Sequence, residues 1–432
     1  MLIEKLRGYF PILVILFLLG GVYLGYANVW LCVGAFLLAL TRLNKEEFVF
    51  FMLLGGAGYF GVVGRILLGQ FTLIPQFLVY LIVLLLIIQR IIPLFQQNRM
   101  ANYMFAFLLI IFAISYIYGP HHAYSTIKLI RILIYGLLCF WIFLIYNEER
   151  NIDPLKLAYL FALVGVTYIV VGVTVYHFGT PSSILDFNYF RGAKFQVGEN
   201  NFAISYHEVG LAALYGVVFL LSAKDDSFIL KPKSIFLLII LIYVALISQM
   251  RQGILGIFVL LFFRYILLVK NKIGYKLIGM VLIAAISLFM FNDVQSNAFE
   301  SVGKAKSFDE AVNRSYNRAL DNMDNNPFFG LGLGGYSWDG KTHYPHNIFL
   351  EIINELGFVG LLIIIAISLY VMWYNRFSWK AVNANNTYAI LLLLAVFIRI
   401  NASSDLTENI LFFSLLFSLR NQECLIDDSE YS

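Results

Sequence analysis

His346-Asn347-Ile348-Phe349-Leu350-Glu351-Ile352-Ile353-Asn354-Glu355-Leu356-Gly357-Phe358-Val359-Gly360 opens an apolar segment that continues to Trp373. Its first ten residues nevertheless hold a histidine, two asparagines and two carboxylates. Wound as a helix, Asn347, Glu351, Asn354 and Glu355 fall at i, i+4, i+7 and i+8 and make one polar stripe. His346, Leu350, Ile353, Gly357 and Gly360 form the adjoining face. Polar and ionisable groups are costly at membrane depth, so a cluster of them marks a functional-site hypothesis. The stretch reads as a membrane helix whose polar top is aimed into a cavity.

The rest of the chain supports a membrane setting. Of its 432 residues, 60% are hydrophobic and 13% charged, and the mean hydropathy is +0.80. A soluble domain carries roughly twice that share of charged residues. Apolar runs occupy 9–26, 28–40, 48–68, 71–88, 102–118, 127–146, 155–176, 203–222, 234–250, 253–269, 276–292, 349–373, 386–400 and 408–420. Some are shorter than the ~20 residues of an ordinary spanning helix, so the expectation is about 12–14 spans. The reading is an all-α polytopic membrane protein, residues 1–432 forming a single integral membrane domain.

Charge placement orients it. Arg42, Lys45, Arg90, Arg150, Lys156, Lys231, Lys233, Arg264 and Arg376 fall in connectors on the side shared by the two termini, and the opposite short connectors carry few basic residues. The positive-inside rule then places both termini in the cytoplasm. The basic start followed by an apolar run lacks a small-residue cleavage site, which favours an uncleaved first span. Three cysteines, Cys32, Cys139 and Cys424, are too scattered for a disulfide framework or a metal site.

Two outer connectors are long, 177–202 and 293–345, and loops of that length in a compact protein are usually functional. The larger one holds Phe299, Val302, Phe308, Val312, Tyr316, Leu320 and Met323 at spacings that predict an amphipathic helix. It continues through the breaker-rich run Asn326-Pro327-Phe328-Phe329-Gly330-Leu331-Gly332-Leu333-Gly334-Gly335-Tyr336. That glycine run follows no strand of a βαβ unit and lies on the wrong side for nucleotides, so a nucleotide loop is discounted.

Four outer-face arginines accompany His346: Arg191, Arg251, Arg314 and Arg318. Arg251 sits in Ser248-Gln249-Met250-Arg251-Gln252-Gly253, a tight reversal between two spans. A guanidinium stays charged and its fork matches two phosphate oxygens, which suits a diphosphate ligand. Plainer roles compete with this one. Arg314 and Arg318 fall at helical spacing from Glu310 and Asp321, exposed pairs worth only ~0.3–0.5 kcal/mol. Arg251 could anchor the interface, Arg191 could be a solvated loop charge, and His346 could bond a backbone carbonyl at the helix start. His121-His122 and His343/His346 lack carboxylate or cysteine partners at ligand spacing, so no metal site is expected. Glu199, His207 and Glu208 flank the eighth apolar run, as cavity lining or as interface markers.

These motifs carry a resemblance. His346-Asn347 with Gly357 and Gly360, the run Arg314, Ala319-Leu320 and Asn326-Pro327-Phe328-Phe329-Gly330-Leu331-Gly332, and the Arg251 reversal look like the outer-loop signature of the O-antigen ligase and O-antigen polymerase superfamily. The similarity covers about 245–375. In some polymerases the earlier arginine loop places a glycine eleven positions after the arginine; here that position is Phe202.

The resemblance implies a membrane glycosyltransferase, type C-like in fold, with its large extracytoplasmic loop before a late helix. It implies a metal-independent, cofactor-free enzyme acting on glycans carried by undecaprenyl diphosphate at the outer face of the bacterial inner membrane. In that scheme His346 is the base, with Glu351 or Asn347 holding its ring, and Arg251, Arg314, Arg191 and Arg318 receive the diphosphate. The lipid-linked oligosaccharide serves as donor and acceptor, the bilayer is the solvent, and chain-length regulator and flippase proteins are candidate partners. Nucleic acid is not.

Three functions compete. A polymerase joins lipid-linked repeats into O-antigen, capsule or exopolysaccharide. A ligase moves a finished glycan to lipid A-core or protein. A flippase or transporter moves the glycan without catalysis, but such proteins often show internal repeats and interrupted helices near the midplane. Here the polar residues gather at the outer boundary, which favours an outward-facing active site.

Overall fold

The computed structural model describes residues 2–26, 28–56, 58–60, 73–148, 152–174, 206–223, 231–248, 250–264, 317–337, 345, 347–374, 387–400 and 406–419. Among them there are helices and connectors and no strand. In chain order the helices are α1 (Leu2–Tyr23), α2 (Val29–Leu40), α3 (Lys45–Phe51), α4 (Leu73–Gln97), α5 (Arg99–Tyr118), α6 (Ala123–Glu148) and α7 (Pro154–Thr174). They continue with α8 (Tyr206–Leu221), α9 (Pro232–Ser248), α10 (Arg251–Phe262), α11 (Ile348–Tyr374), α12 (Thr387–Ile400) and α13 (Leu406–Ser418). A π-helical turn, Met52–Gly56, prolongs α3, and 317–325 is helical as well.

Four of these helices, α5, α6, α7 and α11, are long and apolar enough to cross a bilayer, and seven shorter apolar helices accompany them. The molecule is therefore an all-helical polytopic membrane protein, as its hydropathy predicts. The apolar run 276–292 and the amphipathic stretch up to residue 316 lie outside the described residues. Two boundaries differ from expectation. α4 runs past the predicted end at residue 88 to Gln97, because Gln and Arg are good helix formers even where hydropathy falls. The late span is not one continuous helix: Gly357 interrupts α11 with φ 68° and ψ −174°.

The chain groups into two compact units, each assembled from separated stretches. The first comprises 1–86, 150–264 and 384–395. At its centre α8 packs against α7, α9 and α10. Missing side chains allow close approach between helices, the usual device of membrane packing. A Cβ on Gly165 would stand 2.6 Å from Val244, and one on Gly216 would stand 2.4 Å from Leu241.

Buried charges in this unit are spent on helix ends. Glu47 completes a capping box with Asn44 at the start of α3. Its carboxylate also accepts from the Asp153 N–H at 2.9 Å and meets the Lys156 ammonium at 3.3 Å. Arg264 donates to the Leu221 and Ala223 carbonyls at 2.9 and 3.1 Å, closing the C-terminal end of α8.

The second unit comprises 87–149, 265–383 and 396–432. α13 lies along α6 and touches α5 and α11. Gly136 lets Ile410 approach, and the Ser414 hydroxyl donates to the Gly136 carbonyl at 3.1 Å. Phe105 stacks on Phe140 with centroids 4.3 Å apart and meets Phe417 edge-on. This packing fixes the frame on which the N-terminal end of α11 is built.

Candidate functional site

The site begins with the helix start that follows His346. Asn347 is the N-cap of α11: its side-chain oxygen accepts from the Phe349 N–H at 2.9 Å and the Leu350 N–H at 3.1 Å. Those donors have no intrahelical acceptor, which is why asparagine is favoured there.

One to two turns on, the polar stripe turns into the protein. Glu351, Asn354 and Glu355 are buried. The Lys128 ammonium of α6 lies between the two carboxylates, 2.5 Å from Glu351 Oε1 and 2.6 Å from Glu355 Oε1, with all three side chains fully buried. The Gly334 N–H gives Glu355 Oε1 a second donor at 3.0 Å. Asn354 donates through Nδ2 to the Ala319 carbonyl at 3.1 Å and to Leu350 O at 2.8 Å. The cavity-lining stripe expected from the sequence is thus, for these three residues, a buried network of ion pairs and hydrogen bonds. Burial of charge is costly, and ion pairing with additional hydrogen bonds is what makes it tolerable.

Just beyond the network α11 breaks, and a loop fills the break. Before Gly357, the Asn354 and Glu355 carbonyls accept from the Leu331 and Gly332 N–H groups at 2.7 and 3.0 Å. After it, the Phe358 and Val359 N–H groups donate to the Pro327 and Phe328 carbonyls at 2.8 and 3.2 Å. Backbone groups freed at membrane depth must find partners inside the protein, and residues 327–332 supply all four.

Glycine is required on both sides of this contact. A Cβ on Gly357 would stand 2.1 Å from the Phe328 oxygen, and one on Gly330 would stand 2.7 Å from the Asn354 oxygen. Gly330, Gly332 and Gly334 also have positive φ, 68°, 79° and 77°. The glycine-rich run is therefore a clasp for a broken helix.

The end of α5 and the start of α6 close the clasp from the other side. Ser115 O accepts from the Leu333 N–H at 3.1 Å, and the Ser115 hydroxyl donates to Glu355 O at 3.2 Å. Tyr118 donates to Phe329 O at 2.8 Å. His122 accepts the Ser125 N–H on Nδ1 at 3.0 Å, so Nε2 carries the proton of the neutral ring and donates to Gly334 O at 3.2 Å. Arg318, one of the four arginines expected at the site, donates to Tyr336 O at 2.7 Å and lies 5.1 Å above the Tyr336 ring.

Among the predicted site residues, the structure brings Asn347, Glu351 and Arg318 into this unit, as a cap, a buried ion partner and a loop fastener. Arg251 opens α10 in the other unit, immediately after the reversal that follows Ser248. That reversal is seated on α8: a Cβ on Gly210 would stand 2.5 Å from Met250, and one on Gly253 would stand 3.2 Å from Gly210 O. His207 and Glu208 lie in the first turn of α8. His346, Arg191, Arg314, Glu199 and His343 fall outside the described residues.

Lys128, Ser115, Tyr118, His122 and Ser125 are parts of the site that sequence reasoning did not select. Lys128 carried a signal, a cation inside an apolar helix with no carboxylate one turn away in its own segment.

The described fold and site define a class: a polytopic helical membrane protein with a late helix interrupted at Gly357 and clasped by a glycine-rich segment that precedes it. Residues 236–365 match the family model described as O-antigen ligase. The matched segment is less than a third of the chain, and the match is consistent with the O-antigen ligase and polymerase superfamily. No curated protein matches the chain.

Proposed function

We propose that the protein is a polysaccharide polymerase, an inverting, metal-independent glycosyltransferase that joins undecaprenyl-diphosphate-linked oligosaccharide repeats at the outer face of the bacterial inner membrane. The reading is carried by one observation. The segment 236–365 that matches the family holds Arg251, Arg314, Arg318 and His346 together with the clasped helix.

In this scheme a hydroxyl of the acceptor repeat attacks the anomeric carbon of the donor. His346 takes the hydroxyl proton, the part of a general base that an imidazole can fill. The bond from the anomeric carbon to the diphosphate breaks, the diphosphate leaves with its electron pair, and the new glycosidic bond forms on the opposite face. Arg251, Arg314 and Arg191 stabilise the departing charge; one preorganised donor of this kind is worth roughly 3–4 kcal/mol. Asn347, Glu351 and Arg318 act at one remove by fixing the helix start and the loop.

Purified protein supplied with the lipid-linked repeat alone is expected to give a ladder of longer products, unchanged by a metal chelator. His346→Ala is expected to abolish the ladder while the protein retains its thermal unfolding midpoint. A normal ladder from His346→Ala would remove the catalytic role and leave transport open. The second reading, a ligase, is favoured by the family's own description. Products that appear only when lipid A-core is added would select it.

A further inference from the structure

Between α1 and α2 in the first unit, backed by α7 and α9, lies an apolar cavity of about 550 Å³. Its outer lips, Phe17 and Trp30, are largely exposed, so the cavity is open sideways. Gly34 forms part of its wall, and a Cβ built there would meet no atom within 4 Å. The space is therefore a groove that no side chain of the described structure fills.

One end is not apolar. Arg42 follows α2, and Lys156 and Lys233 begin α7 and α9; all three line the groove. Lys156 is half-exposed although it also meets Glu47 at 3.3 Å. From Trp30 to Arg42 the helical rise gives a length of about 18 Å. The hydrocarbon of one leaflet is about 15 Å deep, half of a ~30 Å core. An apolar slot of one leaflet's depth, open to the side and ending in cations, matches a single lipid with an anionic head.

We propose that this groove is a binding site for an anionic glycerophospholipid, one acyl chain lying along α2 and its phosphate held by Arg42, Lys156 and Lys233. The cations lie on the side that the positive-inside rule assigns to the cytoplasm, so the occupant comes from the inner leaflet. The inference is independent of the glycosyltransferase scheme and stands or falls without it.

Native mass spectrometry of the full-length protein in detergent tests it, with equimolar phosphatidylglycerol and phosphatidylcholine of the same acyl chains. Wild type is expected to retain phosphatidylglycerol preferentially. Gly34→Trp, which fills the slot, is expected to lose the adduct. The double variant Arg42→Gln, Lys233→Gln keeps the slot; its preference is expected to fall about 25-fold, from roughly fivefold per cation near a lipid head.

Equal retention of both lipids by wild type would overturn the proposal, as would undiminished preference in the charge variant. A lipid-free dimer that Gly34→Trp dissociates would assign the groove to a second copy of the chain instead. Displacement of phosphatidylglycerol by a polyprenyl phosphate would assign it to the glycan carrier. Should Gly34→Trp fail to fold, the charge variant decides alone.

Discussion

A lysine at full burial between two glutamates is the sharpest single-residue feature of the second unit. Such an arrangement contributes little net stability over an apolar replacement, but removing one partner strands charge and costs about 3–5 kcal/mol. Lys128→Met is therefore expected to lower the unfolding midpoint sharply, and Lys128→Met combined with Glu351→Gln and Glu355→Gln to recover part of the loss. A triple variant no more stable than the single one would contradict the pairing. Asn347 gives a finer test. Its described role needs only an acceptor at the helix start, so Asn347→Asp is expected to retain stability and Asn347→Ala to lose about 1 kcal/mol. Loss of glycan synthesis in a stable Asn347→Asp protein would show that the carboxamide itself serves the reaction.

At the scale of elements, the broken helix and its clasp behave as one object. Gly332 combines φ 79° with a Cβ position 2.2 Å from the Gly119 Cα. Gly332→Ala is expected to cost at least the ~1–2 kcal/mol of a left-handed residue, and more from the clash. The check is limited proteolysis together with thermal unfolding: cleavage within 317–337 should quicken before the protein melts. Unchanged cleavage would mean the loop tolerates the methyl group, against the described geometry.

Part of this element was legible beforehand. The stripe of Glu351, Asn354 and Glu355 follows from helical spacing alone, and the alternate glycines of 330–334 announce an irregular backbone. The break at Gly357 was not legible, because one glycine in an apolar run reads equally well as a packing residue. Only the carbonyls of Pro327 and Phe328, brought by the fold, decide it. Lys128 is separated from Glu351 by 223 positions, a distance that no local periodicity spans.

Across the whole molecule, hydropathy gave the helical class and nearly every described element, because apolar length is dictated by bilayer thickness. The grouping into two units, each stitched from distant stretches, is tertiary and left no trace in composition. The segment 236–365 contributes α9 and α10 to one unit and the start of α11 to the other, so its motif residues come from both. Orientation is tested at this scale. A fluorescent protein fused after Ser432 should mature, whereas alkaline phosphatase at the same place should stay inactive. The reverse pattern would put the His346 end of α11 in the cytosol and remove the proposed chemistry.

The gap at Gly357 also constrains how the protein is made. The ribosome delivers residues 327–332 before α11, and those residues carry a backbone partner for each of the four groups at the gap. The late helix cannot reach its final form by sliding into lipid alone, because the exposed amides and carbonyls would meet hydrocarbon. Membrane insertion of this span and docking of the preceding loop must therefore be completed together. A nascent chain arrested before residue 348 would have its loop in place with nothing yet to hold.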